Sequence, residues 1–422
     1  MMHFRVLALL ALLAAVAPLT YAASANVQVG GGTCTVVPLG GGQDDGPNIL
    51  DAFSQCASGG TVVLNEYYVV NTVLVTTGLK NVNIELSGVV QYTPNIAYWS
   101  PNSLFLTYQN ATTYWFLSGD NIHLYGGGTL DGNGQVWWDY PNATSGTAGG
   151  SSTLFARPIP LTVGNASNVV IEDLTQIQSP FWNNFVYQST NVTYRNINIS
   201  TVSYSSNPTL NSDGWDIYRS SFVTIENSTV NNDDDCVSFK PNATNILVQN
   251  MNCLAGDGMS VGSLGQYAGE TDIVANVTVN NVTLTNSQNG GRVKVFGGSP
   301  LANSTAGGGG GYVKVISKNI TFSNFQVNSV DYPIVFDECF ATPVSCVDYP
   351  TKIAVSDVHY SNFSGTSSGA EGTMVVDLNC TMACTDITAG DINLTSPNGA
   401  ATYFCRNVTS TSELDFNCTD SV

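Results

Sequence analysis

The sequence is poor in positive charge and, beyond its amino terminus, in long apolar segments. Its 422 residues include 12 Lys and Arg against 31 Asp and Glu, with a net charge of −19 and an isoelectric point near 4.1. A chain with so few cations has no general attraction for nucleic acid or anionic membranes, so neither is expected as a partner. No later stretch is long and apolar enough to span a bilayer. Long amphipathic helical patterns are also lacking, which favours strands over a helical bundle.

Short Asn/aliphatic segments recur along the chain instead. Each is rich in Val, Ile and Thr, alternates apolar with polar residues and ends in turn-forming residues, which predicts a strand. Seven segments start 23, 31, 23, 31, 43 and 33 residues apart, the pattern of a solenoid with one rung per repeat and loops inserted in some turns. They begin at Asn168, Asn191, Phe222, Asn245, Asn276, Asn319 and Lys352, with similar earlier segments at Asn81 and Asn121.

The composition favours one long all-β domain. Hydrophobic residues make up 43% of the chain, enough for an extended core, and 41 glycines supply turns. The repeat runs on without a linker, so we predict a single domain over residues 23–422. One short helix is predicted from Asn48 to Cys56, where Pro47 precedes an apolar face, as a cap on the open end of the solenoid.

The amino terminus predicts secretion. Arg5 precedes an apolar run from Val6 to Val16 and small residues near Ala22, the pattern of a signal peptide over residues 1–22. Sixteen Asn-X-Ser/Thr sites add the expectation of a glycosylated surface. All ten cysteines follow the signal, and in an oxidising compartment their proximity suggests the pairs Cys34–Cys56, Cys236–Cys253, Cys339–Cys346, Cys380–Cys384 and Cys405–Cys418.

Three carboxylates follow the same period as the strands. Asp213, Asp234 and Asp257 are separated by steps of 21 and 23 residues, about one turn of a coil. Residues one turn apart stack at about 4.8 Å per rung, so the acids should form one patch. Arg292 and Lys294 are two residues apart on a predicted strand and should project from the same face. Two cations beside an acidic patch could clamp a carboxylate-bearing substrate.

These elements together resemble glycoside hydrolase family 28, the polygalacturonase family. Asn211-Ser-Asp-Gly-Trp is similar to the family's Asn-Thr-Asp element, Asp234-Asp235-Cys236 to its Asp-Asp element and Arg292-Val-Lys294 to its Arg-Ile-Lys element. The segment from Met259 to Tyr267 is similar to the branch that contains exo-polygalacturonases and rhamnogalacturonan galacturonohydrolases. The resemblance implies a right-handed parallel β-helix.

The resemblance also implies a reaction and roles for the site residues. The enzyme would hydrolyse α-1,4-linked galacturonic acid from chain ends of homogalacturonan or rhamnogalacturonan by single displacement with inversion. Asp234 would be the general acid, with Asp213 and Asp235 activating the water. The substrate would be bound by Arg292, Lys294 and Asp257. We expect no cofactor and no metal, and a secreted, extracellular monomer.

Two departures from the family pattern leave alternatives open. Asp257 stands where the family usually has His, in Gly-His-Gly, and Phe340 stands where relatives commonly have Tyr. A catalytically impaired pectin-binding relative is therefore one alternative. The other is a calcium-dependent pectate lyase, because the cluster from Asp233 to Asp235 offers the hard oxygen ligands that Ca²⁺ takes.

Overall fold

The computed structural model describes residues 26–140, 156–313 and 319–419. The predicted signal peptide, residues 1–22, lies outside the described residues. One sheet of 27 strands runs through the described chain, and its strands pair in parallel except for the first two, which are antiparallel. The chain is therefore a parallel β-helix, as predicted, and its coil is right-handed. Within the described ranges, no helix has the length and apolar character needed to cross a bilayer.

The described strands and helices are numbered along the chain. The strands are β1 (Val27–Gly30), β2 (Thr33–Val36), β3 (Thr61–Leu64), β4 (Tyr67–Val70), β5 (Leu74–Leu86), β6 (Val89–Tyr92), β7 (Leu104–Phe105), β8 (Thr112–Thr113), β9 (Trp115–Tyr125), β10 (Thr129–Asp131), β11 (Pro158–Ile159), β12 (Leu161–Gly164), β13 (Ser167–Glu172), β14 (Thr175–Ile177), β15 (Asn184–Tyr187), β16 (Thr190–Arg195), β17 (Asn198–Ser200), β18 (Trp215–Tyr218), β19 (Ser221–Asn231), β20 (Asp235–Phe239), β21 (Ala243–Leu254), β22 (Gly258–Leu264), β23 (Thr271–Thr285), β24 (Asn289–Val295), β25 (Gly310–Val313), β26 (Ile320–Val330), β27 (Tyr332–Asp337), β28 (Lys352–Ser367), β29 (Met374–Thr395) and β30 (Thr402–Val408). The α-helices are α1 (Gly46–Gln55), α2 (Ile96–Asn102) and α3 (Gln135–Trp138), and a 3-10 turn covers Thr411–Glu413.

The rungs have three faces, defined by the strands that stack on one another. Face 1 consists of β12, β15, β18, β20, β22, β24, β27 and the first part of β29. Face 2 consists of β13, β16 and the first parts of β19, β21 and β23, and face 3 of β14, β17 and the second parts of these long strands. Side chains alternate along each strand, so every second residue of face 1 points out of the coil.

Asparagines in the left-handed conformation make the corner between faces 1 and 2. Asn168 and Asn191 both have φ of 55°, and the Asn191 amide donates to the Asn168 side chain at 2.7 Å. Asn276 donates in the same way to Asn245 at 2.6 Å. Phe222 occupies the corner between these pairs with φ of 56° and interrupts the ladder. The repeat read from the sequence is thus a corner that tolerates Asn, the residue besides Gly that most readily adopts this conformation.

The core is a column of aliphatic and aromatic side chains, closed at one end by a helix. Phe325 stacks on Phe363 of the next rung with ring centroids 4.4 Å apart. Helix α1 buries Ile49 and Phe53, and the Phe53 ring lies 5.8 Å from that of Trp115. The predicted capping helix is therefore confirmed. All five predicted cysteine pairs form disulfides in the structure, and the part of the chain it describes has no free cysteine.

One predicted repeat is out of register. Lys352 pairs with Gly310 and does not lie at the corner. The corner residue is Asp357, with φ of 60°, and the next residue, Val358, pairs with Ile320. Both segments alternate in the same way within one long strand, so the pattern alone did not separate them. The short helices α2 and α3 were also not predicted, because each has too few residues to show a helical period.

Candidate active site

The predicted carboxylates lie on face 1 at the start of three successive rungs. Asp213 precedes β18, Asp235 begins β20 and Asp257 precedes β22. One carboxylate oxygen each of Asp213, Asp234 and Asp235 lies within 4.8 Å of the other two. The structure thus brings together the three residues predicted to be catalytic. The 21-residue step joins Asp213 to Asp234, and Asp257 follows one rung further on.

The turns that lead into these rungs interlock. The Asn232 amide donates to the backbone carbonyls of Ser212 and Asp234 at 2.9 and 3.0 Å. A Cβ at Gly256 would lie 2.4 Å from the Asp234 carbonyl oxygen, which leaves no room for a side chain. The backbone around Asp234 is therefore fixed from the rung on either side.

Asp235 is the carboxylate whose surroundings most favour its charged form. It is fully buried, and its two oxygens contact the Lys294 ammonium and the Ser260 hydroxyl. Burial alone would raise the pKa of Asp235, but the charges of Lys294, Lys240 and Arg292 outweigh it and lower the pKa below the usual 3.8. Asp235 is therefore ionised under mildly acidic conditions and can accept a proton.

Asp213 has the opposite tendency. Burial, followed by the nearby charges of Asp216 and Asp234, raises its pKa well above the usual range. Asp216, which is fully buried, has a pKa raised to about 7 mainly by burial. The Lys240 ammonium lies 2.9 Å from Asp216 and 3.7 Å from Asp213. The pair Asp213 and Asp216, on either side of Lys240, therefore retains a proton at a pH at which Asp235 is ionised.

Asp234 is the most accessible of the three clustered carboxylates and is held by hydrogen bonds. Its oxygens accept from the Asn211 amide at 3.3 Å and from the backbone N–H of Asp235 at 2.8 Å. The buried guanidinium of Arg157 donates to the Asn211 side-chain oxygen at 2.8 Å and to the Pro180 carbonyl at 3.0 Å. Arg157 therefore orients the amide that contacts Asp234.

The two predicted cations project together, and both are already paired. Arg292 lies 3.6 Å from Asp257 and 3.3 Å from Asp337, while Lys294 contacts the ionised Asp235 described above. The Phe340 ring packs against both, 5.1 Å from the guanidinium and 5.3 Å from the ammonium. The Phe340 ring thus stabilises both cations by cation–π contact.

Asp257, the residue that departs from the family pattern, is a carboxyl that holds a proton. Burial, and then the charges of Asp234 and Asp235, raise its pKa to about 8. The side-chain amide of Gln288 lies 3.2 Å from both of its oxygens in the orientation that lets the NH₂ group donate. Below neutral pH, Asp257 is therefore mostly an uncharged hydrogen-bonding group.

The amino-terminal side of this cluster is closed by aromatic residues. Phe185 occupies the outward position one rung before Asp216 and is fully buried. The Tyr108 ring, from the segment between β7 and β8, stacks on Tyr218 at 4.0 Å. We call this covered surface the aromatic wall. It consists of Leu106, Tyr108, Phe181, Trp182, Phe185 and Tyr218.

The other side of the cluster is open. A cavity of about 360 Å³, which we call the open-side cavity, borders Arg292. The loop that contributes Tyr108 to the aromatic wall is held in place by the Gln109 amide, which donates to the Gln266 side chain at 2.8 Å. A linear substrate could therefore extend in one direction only. The cavity residues that bear on its chemistry are Gln288, Arg292, Tyr332, Asp337, Asp377 and Asn379.

Several site residues were not predicted. Asp216, Ser260 and Arg292 lie in one outward column. Counting back from Arg292 by strand register could therefore have identified Asp216 and Ser260 from the sequence. Lys240 follows β20 directly, and its ammonium lies 2.9 Å from Asp216 of this column. Arg157 had no signal, because it reaches the site from a distant loop.

A parallel β-helix with clustered carboxylates on one face has the arrangement of a glycoside hydrolase. The chain belongs to the glycosyl hydrolases family 28, whose family model matches residues 67–414. It is 43% identical over 396 residues to exopolygalacturonase X of Aspergillus niger, covering 92% of this chain and 88% of that protein. It is 41% identical over 396 residues to an exopolygalacturonase of Cochliobolus carbonum, covering 92% and 86%.

Solved structures have the same fold. The endo-xylogalacturonan hydrolase of Aspergillus tubingensis matches with a TM-score of 0.80 and 30% identity, covering 92% of this chain and 99% of that one. The polygalacturonase of Erwinia carotovora matches with a TM-score of 0.68 at 21% identity, covering 89% and 96%, which supports the fold alone.

Proposed function

We propose that this protein is a secreted exo-acting hydrolase that releases galacturonic acid from the ends of pectic galacturonan chains. The observation that carries the proposal is the position of the acids: Asp213, Asp234 and Asp235 lie between the aromatic wall and the open-side cavity. A chain that enters from the open side can place only its end unit beyond the acids. Relatives named exopolygalacturonase support the same activity.

The charge states suggest which catalytic role each acid has. Asp235 stays ionised and would activate the water. Asp234, the most accessible, would protonate the departing oxygen, as predicted from the family. Asp213, predicted to help activate the water, has surroundings that favour its protonated form. We therefore assign Asp213 to holding a proton beside Asp234.

Asparagine variants test this division, because Asn imitates an uncharged carboxyl. Release of reducing ends from polygalacturonate should fall by about 10³-fold or more in Asp234→Asn and Asp235→Asn, and by much less in Asp213→Asn. Binding of a galacturonate oligomer to each variant, measured by calorimetry, should remain. Asp234→Asn with the unaltered rate would refute the assignment of the general acid.

The stereochemical outcome needs its own test. The clustered carboxylate oxygens lie within 4.8 Å of one another, closer than the roughly 6.5–9.5 Å usual for inverting pairs. Inversion is therefore proposed on family resemblance. Proton NMR of the first product formed should detect the β-anomer of galacturonic acid. Initial release of the α-anomer would mean retention.

The two earlier alternatives make different predictions. Three close carboxylates could hold a cation, but Asp235 and Asp213 already have Lys294 and Lys240 beside them. A lyase would give an unsaturated product that absorbs in the ultraviolet and would need Ca²⁺, whereas we expect hydrolysis to continue in chelator. An impaired pectin-binding relative would bind polygalacturonate without releasing reducing ends.

We propose that residues 1–22 direct secretion and are removed, and that residues 23–422 form one monomeric domain. Mass spectrometry of the secreted protein would give its new amino terminus and its glycan content, and sedimentation would give its oligomeric state.

A further inference from the structure

The open-side cavity is where the second sugar of the substrate must lie if the proposed exo activity is correct. The end unit would lie between the aromatic wall and the acids, so the next unit falls beside Arg292. The backbone register places Lys294, Asp337 and Asn379 in one outward column of successive rungs. Arg292 and Asp377 occupy the neighbouring column, on either side of Val335. The chemistry of this cavity is therefore set by these two columns.

Neither Arg292, which lines the cavity, nor the neighbouring Lys294 is free to bind a carboxylate. Lys294 contacts Asp235, whose pKa is lowered, so this pair persists in mildly acidic solution. Arg292 lies between Asp337 at 3.3 Å and Asp257 at 3.6 Å. Protonation of Asp257 would leave the pair with Asp337. A uronate in this cavity would have to compete with carboxylates of the protein for Arg292.

The cavity residues also have polar atoms without hydrogen-bond partners, and these atoms are suited to bind hydroxyl groups. One oxygen each of Asp377 and Asn379 is buried and has no hydrogen-bond partner among the described residues. The Nε of Arg292, a side chain only 9% exposed, also lacks a partner there. Unmade hydrogen bonds at buried polar atoms are unfavourable, so a ligand that supplies donors and an acceptor would be stabilised. Sugar hydroxyls supply both without bringing negative charge.

We propose that the open-side cavity binds an uncharged sugar unit next to the terminal galacturonate, in preference to a second free galacturonate. This inference rests on the proposed exo activity and narrows its substrate. Two sources share the required chemistry: a neutral sugar, such as the rhamnose that follows galacturonate in rhamnogalacturonan, and a methyl-esterified galacturonate. Both present hydroxyl groups and lack the carboxylate.

Three disaccharides with the same terminal unit test the preference. They are digalacturonate, digalacturonate methyl-esterified on its second unit, and galacturonosyl-rhamnose, assayed for galacturonate release at pH 5 and fixed ionic strength. We expect kcat/KM to be about tenfold or more higher for at least one uncharged substrate than for digalacturonate. The substrate with the higher kcat/KM shows whether the uncharged unit is a neutral sugar or a methyl-esterified galacturonate. Equal or faster turnover of digalacturonate would overturn the proposal.

A charge variant and a matched control test the cause. Asp337→Asn should free Arg292 and reduce the preference about threefold or more, by improving turnover of digalacturonate. Asp391→Asn also removes one acid but lies at an exposed position outside the cavity, and it should leave the preference unchanged. An unchanged preference in Asp337→Asn would show that this pair does not set specificity.

Binding measurements on an inactive variant test the preference of the cavity separately from the exo activity. In Asp234→Asn, calorimetry should give a tighter Kd for an uncharged disaccharide than for digalacturonate, whether or not the wild-type protein turns either over. Loss of turnover on all three disaccharides would overturn the exo activity alone. Equal affinity, or tighter binding of digalacturonate, would overturn the assignment of the cavity.

Discussion

Asp257→Asn should make the protein more stable, by an amount that grows as the pH rises. The folded pKa of Asp257 is about 8 against an unfolded value near 3.8, so between these values the folded protein binds more protons than the unfolded chain. Stability contributed by such a group is present at low pH and lost as the pH rises. Asn cannot ionise and escapes this loss. The variant and the wild type should therefore diverge from about pH 4 to pH 8.

The structure sets an upper limit to this effect. The difference between a pKa of about 8 in the folded protein and one near 3.8 in the unfolded chain corresponds to about 6 kcal/mol. The Asp257 side chain is 22% exposed and its charge is coupled to Asp234 and Asp235, so we expect about 2–3 kcal/mol of the limit at pH 8. A change of this size should appear as a difference of several degrees in Tm.

Thermal melts followed by circular dichroism at each pH from 4 to 8 measure the difference. The wild type and Asp257→Asn should differ by a value that widens towards pH 8, whatever their offset at pH 4. Asp391→Asn, an exposed substitution outside the cleft, should track the wild type throughout. A constant offset at all pH values, or a gap that widens towards acid, would mean that Asp257 does not hold a proton in the folded protein.

Three further variants test other parts of the account. Asp257→His should raise kcat/KM on polygalacturonate at pH 5, because a cationic ring attracts a uronate; an equal or lower value would show that the carboxyl at this position is not what limits turnover of the free acid. Phe222→Asn should stabilise the protein by about 1 kcal/mol, since it replaces a bulky residue at positive φ and can extend the ladder between Asn191 and Asn245, and a lower Tm would contradict this. Arg157→Lys should lower kcat about tenfold with little change in KM, because Lys cannot make the forked contacts that orient Asn211; an unchanged kcat would remove Arg157 from the positioning of Asp234.

The fold and the clustering of the acids could be predicted because both depend on a repeat. One corner residue per rung, most often Asn, fixes the register, and the register brings Asp213, Asp234 and Asp257 to the start of successive rungs. The same reasoning failed at Lys352, where one long strand contains two segments with the same alternation. Local pattern fixes the face of a residue but not its place along such a strand.

The charge states of the site could not be predicted from spacing. Asp213 and Asp235 are both buried and belong to adjacent rungs, yet their pKa values shift in opposite directions because Lys294 lies against only one of them. Arg157 and Asp337 come from separate parts of the chain, and no sequence motif around either residue indicates a place in the site. The closed end of the cleft depends on Tyr108, whose loop packs onto a strand more than 100 residues away.

Chromatography of polygalacturonate digests over time shows whether the protein attacks chain ends or internal bonds. If the acids act on chain ends against the aromatic wall, galacturonic acid monomer should be the only small product from the first time point, while the average chain length falls slowly. An early ladder of oligomers would mean that chains pass across the site, and the account of the closed cleft would be contradicted.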